Sequence, residues 1–349
     1  MHLPQNTRMQ TESVDERQSL INEARMRGFT MPLPEVARIA GLLTRMNTDD
    51  DDKSFGNGMW GHRFRNIRTE LPEWIRPINK LRASGALAAL ARALDAYPGS
   101  FDAPLTNHVF RAFSEIPLRH VRVVFVGQDP YPSADKSRET LDALNRMPQQ
   151  EVQALFGEGY ESWPMIKPTD WPDREVKDRE RPRVKLGAVP YACGKSFAYP
   201  SICKNVPASY QNLKRAVIAS YPNQSPRMDP ELDAWAKQGV LMLNSCPLLY
   251  GDGASSKNPN MWTAWTSGIL SAIAEENPFC VFVLLGNSAK AYKTDIISAR
   301  GEACIIEAGH PSSRNSKVGS FLGSEIFKRI NAFFEHVIHV DYKQVPIRW

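Results

Sequence analysis

The chain has 349 residues, 42% of them hydrophobic and 23% charged. This suits one enlarged domain, or a domain with an extension, and excludes a chain that is mostly disordered. The formal charge of +5 and isoelectric point of about 8.9 suit an anionic partner such as nucleic acid, although many unrelated proteins are as basic. Five cysteines (Cys193, Cys203, Cys246, Cys280, Cys304) form no CxxC pair and no zinc spacing, as expected in a reducing compartment. Residues 1–30 lack the apolar core of a signal peptide, and no run reaches the length of a membrane span, so an intracellular protein without membrane contact is expected.

Residues 1–69 read as an N-terminal extension, partly helical or disordered. Their start is polar, residues 36–46 (VARIAGLLTRM) carry helical apolar spacing, and the acidic run Asp49–Asp52 reads as a solvated linker. Residues 70–349 read as the main domain. The stretch 81–97 (LRASGALAALARALDAY) predicts one helix. Four short, mainly apolar runs follow at 121–126, 239–244, 280–285 and 303–308, the pattern of strands buried on both faces of a parallel sheet. Helical patterns at 209–220, 262–276, 287–299 and 321–335 alternate with them, which predicts a three-layer α/β/α sandwich around a central four-stranded parallel sheet. Residues 133–190, rich in proline and mixed charge (DREVKDRERPRVK at 173–185), break this rhythm and read as a surface insertion.

Polar residues follow each strand. GQDPYP (127–132) succeeds the first run, the second ends in Asn244, GNSAK (286–290) succeeds the third and GHPSSRN (309–315) the fourth. Open α/β sheets bind ligands beyond the carboxyl ends of their strands, so Gln128, Asp129, Asn244 and His310 should meet in one crevice. Taken singly, each has a plainer reading: Asp129-Pro130 as a turn, Asn244 as a cap, His310 as a structural histidine.

With these motifs in place, the chain resembles the uracil-DNA glycosylase family over about residues 70–345. GQDPYP resembles the family's water-activating motif, usually GQDPYH, and HPSSRN (310–315) its leucine-loop motif. GVLMLN (239–244) resembles the strand that delivers the base-reading asparagine. GKSFAYPS (194–201) resembles the segment with the stacking phenylalanine, and VPAS (206–209) the proline-rich phosphate loop. The resemblance implies a monofunctional DNA N-glycosylase that flips uracil from single- or double-stranded DNA and leaves an abasic site. It implies that Asp129 positions a water and stabilises a sugar cation, and that His310 stabilises the departing base at O2. Gln128 would help bind the base, Tyr131 would exclude a methyl at C5, Phe197 would stack and Asn244 would read the Watson–Crick edge. Ser209, Ser288 and Ser312 would grip phosphates. Such chemistry needs no metal or organic cofactor: a carboxylate suits a cation-like sugar, and a neutral imidazole can donate to a leaving base.

Three features depart from the pattern. Pro132 replaces the usual histidine, Arg314 stands where the family has its intercalating leucine, and the insertion begins directly after the catalytic loop. These leave two alternatives beside uracil excision: a glycosylase for a bulkier modified pyrimidine, as in viral DNA, and a non-catalytic DNA-binding or replication-accessory protein. A monomer is expected, with 1–69 or 133–190 available to a protein partner, in the cytoplasm with the nucleoid of a prokaryote or in a nucleus.

Overall fold

The computed structural model describes residues 53–98, 101–104, 108–156, 188–250, 261–301, 303–312, 321–337 and 345–349. Packing divides the chain into two units, Met1–Asn57 and Gly58–Trp349. Most of the first, including the apolar spacing at 36–46 and the acidic run at 49–52, lies outside the described residues.

The second unit is built on four parallel strands, β1 (Val123–Gly127), β2 (Val240–Asn244), β3 (Val281–Leu285) and β4 (Cys304–Ala308), in the spatial order β2-β1-β3-β4. These are the four apolar runs. Every residue of β1, β2 and β3 is buried, whereas β4, at the sheet edge, exposes Glu307. The register sets Gly127 opposite Asn244, Val126 opposite Leu284 and Leu285 opposite Ala308. The four carboxyl ends are therefore level.

Nine helices of eight residues or more flank the sheet among the described residues: α1 (Met59–Glu70), α2 (Ile75–Ala83), α3 (Ala86–Asp95), α4 (Arg138–Arg146), α5 (Gln149–Phe156), α6 (Ala208–Ser220), α7 (Thr263–Glu276), α8 (Lys293–Arg300) and α9 (Ile326–Val337). Phe125, Met242, Val283 and Ile306 form one row across the sheet and share a core with Leu213 and Val217 of α6 and Phe327, Ile330 and Phe334 of α9. The alternate residues, such as Val124, Leu241 and Phe282, are buried on the other face. On that side α1, α2, α3, α7 and α8 pack together, with Trp60, Phe64, Phe110, Phe113, Trp262 and Trp265 in ring contact. No helix among the described residues is long and apolar enough to cross a membrane.

Three helical expectations change. The single helix expected at 81–97 breaks at Ser84–Gly85: Gly85 takes φ +75° and the Ser84 hydroxyl donates to the Leu81 carbonyl, so α3 folds back onto α2 and α1. The pattern at 287–299 divides into a helical turn, Asn287–Lys290, and α8. The last helix begins at Ile326 rather than 321. The insertion is folded at its start, as α4 and α5, while residues 157–187 lie outside the described residues.

Helix α1 has no capping side chain of its own. Asp95, at the end of α3, supplies one by accepting from the amides of Trp60 (2.8 Å) and Gly61 (2.9 Å), where a carboxylate also meets the positive end of the helix dipole. Gly58 leaves the room, since a Cβ there would collide with the Asp95 carboxylate. Asp95→Ala should therefore cost about 1 kcal/mol, read as a lower urea midpoint at unchanged slope. An unchanged midpoint would show that the cap contributes nothing.

Candidate active site

The level strand ends bring the loops after β1, β2 and β4 together. Gly127, the last residue of β1, lies against the next layer: a Cβ there would collide with Ser196 Oγ and stand 3.0 Å from Phe197 Cζ and 3.3 Å from Asn244 Oδ1. Gly127, Phe197 and Asn244 thus share one spot. The two loops are joined through the backbone: the Gly127 carbonyl accepts from Ser245 N (3.1 Å), and the Gln128 carbonyl accepts from Cys246 N and Ser245 Oγ (both 3.0 Å). The Gln128 amide donates to the Asp129 carboxylate at 3.1 Å. Burial chiefly, and the Asp129 charge to a lesser degree, push the Cys246 thiol up to about 12 against a bond with Leu248.

The Phe197 segment is held from several sides. Ser196 N donates to the Met242 carbonyl of β2 at 3.0 Å. Gly194 takes φ +84°, where a Cβ would collide with the His108 carbonyl, so only glycine fits. Lys195 is buried and pairs with Glu115 (2.7 Å) and Asp233 (2.5 Å), while Arg111 pairs with Glu115 and Glu231. Phe197 itself adopts φ +62°, an unusual conformation for a bulky side chain. The Tyr131 hydroxyl donates to its carbonyl at 2.9 Å, so the loop after β1 is tied to this segment too.

His310 completes the group. Its ring lies 5.4 Å from that of Phe197, and a Cβ on Gly286 would stand 3.1 Å from its own Cβ. The Ser312 amide donates to Nδ1 at 3.2 Å. Nδ1 is thus an acceptor, which leaves the proton of a neutral imidazole on Nε2. Burial lowers the His310 pKa, favouring the same neutral form.

The expected phosphate-contacting residues occupy different settings. Ser209 is buried in the first turn of α6, Ser288 is exposed in the turn after β3 and Ser312 is partly buried. Asn212 of α6 donates to the Pro311 carbonyl at 2.9 Å, which brings the Ser209 and Ser312 segments together. Arg314 lies outside the described residues. The sequence reading passed over Lys195, Ser245 and Tyr191. The one available signal for Lys195 is a lone charge inside the uncharged stretch 186–203.

This arrangement, a parallel α/β/α sandwich with carboxylate, amide and imidazole at its strand ends, has the fold of the uracil-DNA glycosylases. Mimivirus uracil-DNA glycosylase matches with a TM-score of 0.56 at 20% identity, over 86% of this chain and 98% of its own. A variant of the mimivirus enzyme in complex with UGI gives 0.55 over 80% and 88%. By sequence the chain is similar to curated bacterial uracil-DNA glycosylases. That of Dichelobacter nodosus is 28% identical over 263 residues, 75% of this chain and 84% of the relative. That of Lactococcus lactis is 25% identical over 279 residues, 79% and 97%. No protein-family profile matches the chain.

Because the folded-state pKa of His310 lies below the ordinary 6.5, its native form binds fewer protons than its unfolded form. Its contribution to stability is thus lost as pH falls through 6.5 toward the folded value, and is constant above. Nitrogen-detected NMR should show His310 neutral, with the proton on Nε2, at pH 6.5 and for some distance below. A ring half-protonated at 6.5 or higher, or carrying its proton on Nδ1, would contradict the assignment.

Proposed function

We propose that this protein excises uracil from DNA, hydrolysing the N-glycosidic bond and leaving an abasic site. The observation that carries the reading is the approach of Asn244 and a neutral His310 to Phe197 at the level ends of parallel strands, with Asp129 in the adjoining loop two residues beyond Gly127. A base inside a duplex is out of reach of such a crevice, so the nucleotide must be flipped out first.

In this reading Phe197 stacks on the extruded base and Asn244 pairs with its Watson–Crick edge. Gln128 contributes to binding through the loop that the bonds to Ser245 and Cys246 hold still. Tyr131, tied to the Phe197 carbonyl, stands at C5. The bond from C1′ to N1 then breaks, and its electron pair leaves on the uracil. His310 donates from Nε2 to O2 as that charge grows, a contribution that a preorganised donor makes without reorganisation. The sugar is left cation-like beside the Asp129 carboxylate. A water held there adds to C1′ and passes its proton to that carboxylate. Ser209, Ser288, Ser312 and Arg314 contact phosphates and fix the register of the strand.

The tethered Tyr131 favours uracil over a pyrimidine substituted at C5, and the presence of both Asp129 and His310 exceeds what a purely DNA-binding protein requires. Arg314, in the place of an apolar wedge, disfavours filling the gap left in a duplex, so single-stranded substrate is preferred.

Asp129→Asn should lose about a hundredfold or more in single-turnover uracil release while still binding uracil-containing oligonucleotide. Near-wild-type release would refute the role. Arg314→Leu should raise duplex activity and narrow the gap between the two DNA forms. Kinetics matched on both forms across a salt series decide it, and a variant slower on duplex with an unchanged gap would show that Arg314 is itself a wedge.

A further inference from the structure

The insertion at 133–190 opens directly after the Asp129 loop, and uracil excision as set out above gives it no task. Its base is nonetheless elaborately fixed. Ala134–Asp135 and Val189–Pro190 pair as antiparallel strands, and Tyr191 N extends the ladder by donating to the Ser133 carbonyl at 3.2 Å. The side chain of Asp135, fully buried, accepts from Ser137 N (2.9 Å), Thr140 Oγ1 (2.7 Å), Asn205 N (2.8 Å) and Asn205 Nδ2 (3.0 Å). Thr140 Oγ1 in turn accepts from Lys204 N at 2.8 Å. Burial acts to raise the Asp135 carboxyl, but the bonds from Asn205, Thr140 and Ser137 outweigh it and hold it at about 2. The clamp is therefore ionised at any working pH. Leu144 of α4 and Val152 of α5 enter the same core cluster against which Tyr131 packs.

The first side chain beyond this clamp is Tyr191. Its ring meets that of Tyr131 edge to face, with centroids 6.2 Å apart. Behind it the row continues through Tyr199 (6.3 Å) to Tyr210 (a further 4.9 Å), whose hydroxyl donates to the Met228 and Asp229 carbonyls. Tyr131 is thus held at its tip by the Phe197 carbonyl and along its edge by a ring that the clamped strand pair delivers.

We propose that the base of the insertion is a buttress that determines specificity: Tyr191, held by the strand pair and by Asp135, keeps the Tyr131 ring in place and so sets how well the pocket excludes bases substituted at C5. This rests on the reading of Tyr131 as the C5 wall. A wall of one ring excludes a methyl only as well as the ring resists swinging aside, and Tyr191 is the aromatic ring in contact with it among the described residues. Tyr191 touches no substrate. It is a positioning residue, and its loss should change the choice between bases more than the rate on the preferred one.

The test uses the full chain and single-stranded oligonucleotides carrying uracil, 5-bromouracil or thymine at one position. Wild type, Tyr131→Ala, Tyr191→Leu and Asp135→Asn are compared, with circular dichroism and thermal melts to establish folding. Tyr131→Ala, which opens the wall directly, sets the full effect. Tyr191→Leu should lower the ratio of kcat/KM for uracil to that for 5-bromouracil by about tenfold, with kcat/KM on uracil itself within about threefold of wild type. Asp135→Asn should shift the ratio the same way from outside the pocket. If Asp135→Asn does not fold, Tyr191→Leu alone decides. A folded Tyr191→Leu that keeps the wild-type ratio, beside a relaxed Tyr131→Ala, overturns the buttress. So does a Tyr191→Leu whose rates on all three bases fall together, since that is loss of fold support rather than of selectivity. A Tyr131→Ala that keeps the wild-type ratio overturns the wall reading and the buttress with it.

Discussion

The candidate active site depends on one constraint, the register of a parallel sheet. Because Gly127 pairs opposite Asn244 and Leu285 opposite Ala308, the loops that carry Asp129, Ser245 and His310 all leave from one level. A slip of one residue would turn every side chain of a strand to the opposite face. Here the row Phe125, Met242, Val283 and Ile306 would leave the core that it shares with α6 and α9. Packing on this face therefore specifies the alignment of the loops, and the crowding at Gly127 specifies that β1 ends without a side chain where Phe197 and Asn244 approach.

The site is assembled from groups whose charge state is set by their surroundings. His310 is kept neutral by burial, and the Ser312 amide donates to its Nδ1. Lys195 is a charge with little access to water, which is costly unless paired, and it has two carboxylates within 2.7 Å. The result is a stiff support under Phe197, with Asp233 and Glu115 reaching the Lys195 ammonium from different parts of the chain. Preorganisation of this kind is what catalysis by fixed dipoles requires.

Much of this was legible in the chain because a sheet buried on both faces demands mainly apolar runs, and four of them stand out. The order of the motifs at their ends then pointed to Asp129, Asn244 and His310 as candidates. What was hidden depends on contacts distant in sequence. The break at Gly85, which sends α3 back onto α1, is by contrast marked: Leu87, Leu90 and Leu94 share one helical face, but Leu81 lies about half a turn away from it, and the Ser84-Gly85 pair falls between them. The burial of Lys195 rests on Glu115 and Asp233, and the place of Tyr191 beside Tyr131 rests on strands pairing across the whole insertion. No local pattern records either.

The left-handed backbone at Phe197 has a consequence for any attempt to improve this protein. A bulky residue in that conformation costs on the order of 1 kcal/mol or more, and a glycine at the same position would relieve it. Schemes that seek thermal robustness by replacing residues of positive φ would therefore rank position 197 among their first choices. Phe197 is buried in the core, however, so the glycine would forgo about 3–5 kcal/mol of packing, more than the strain it relieves, and would delete the ring on which the flipped base is proposed to rest. At this position packing and the proposed role both retain the strained residue, so positive φ alone is a misleading guide to a stabilising substitution.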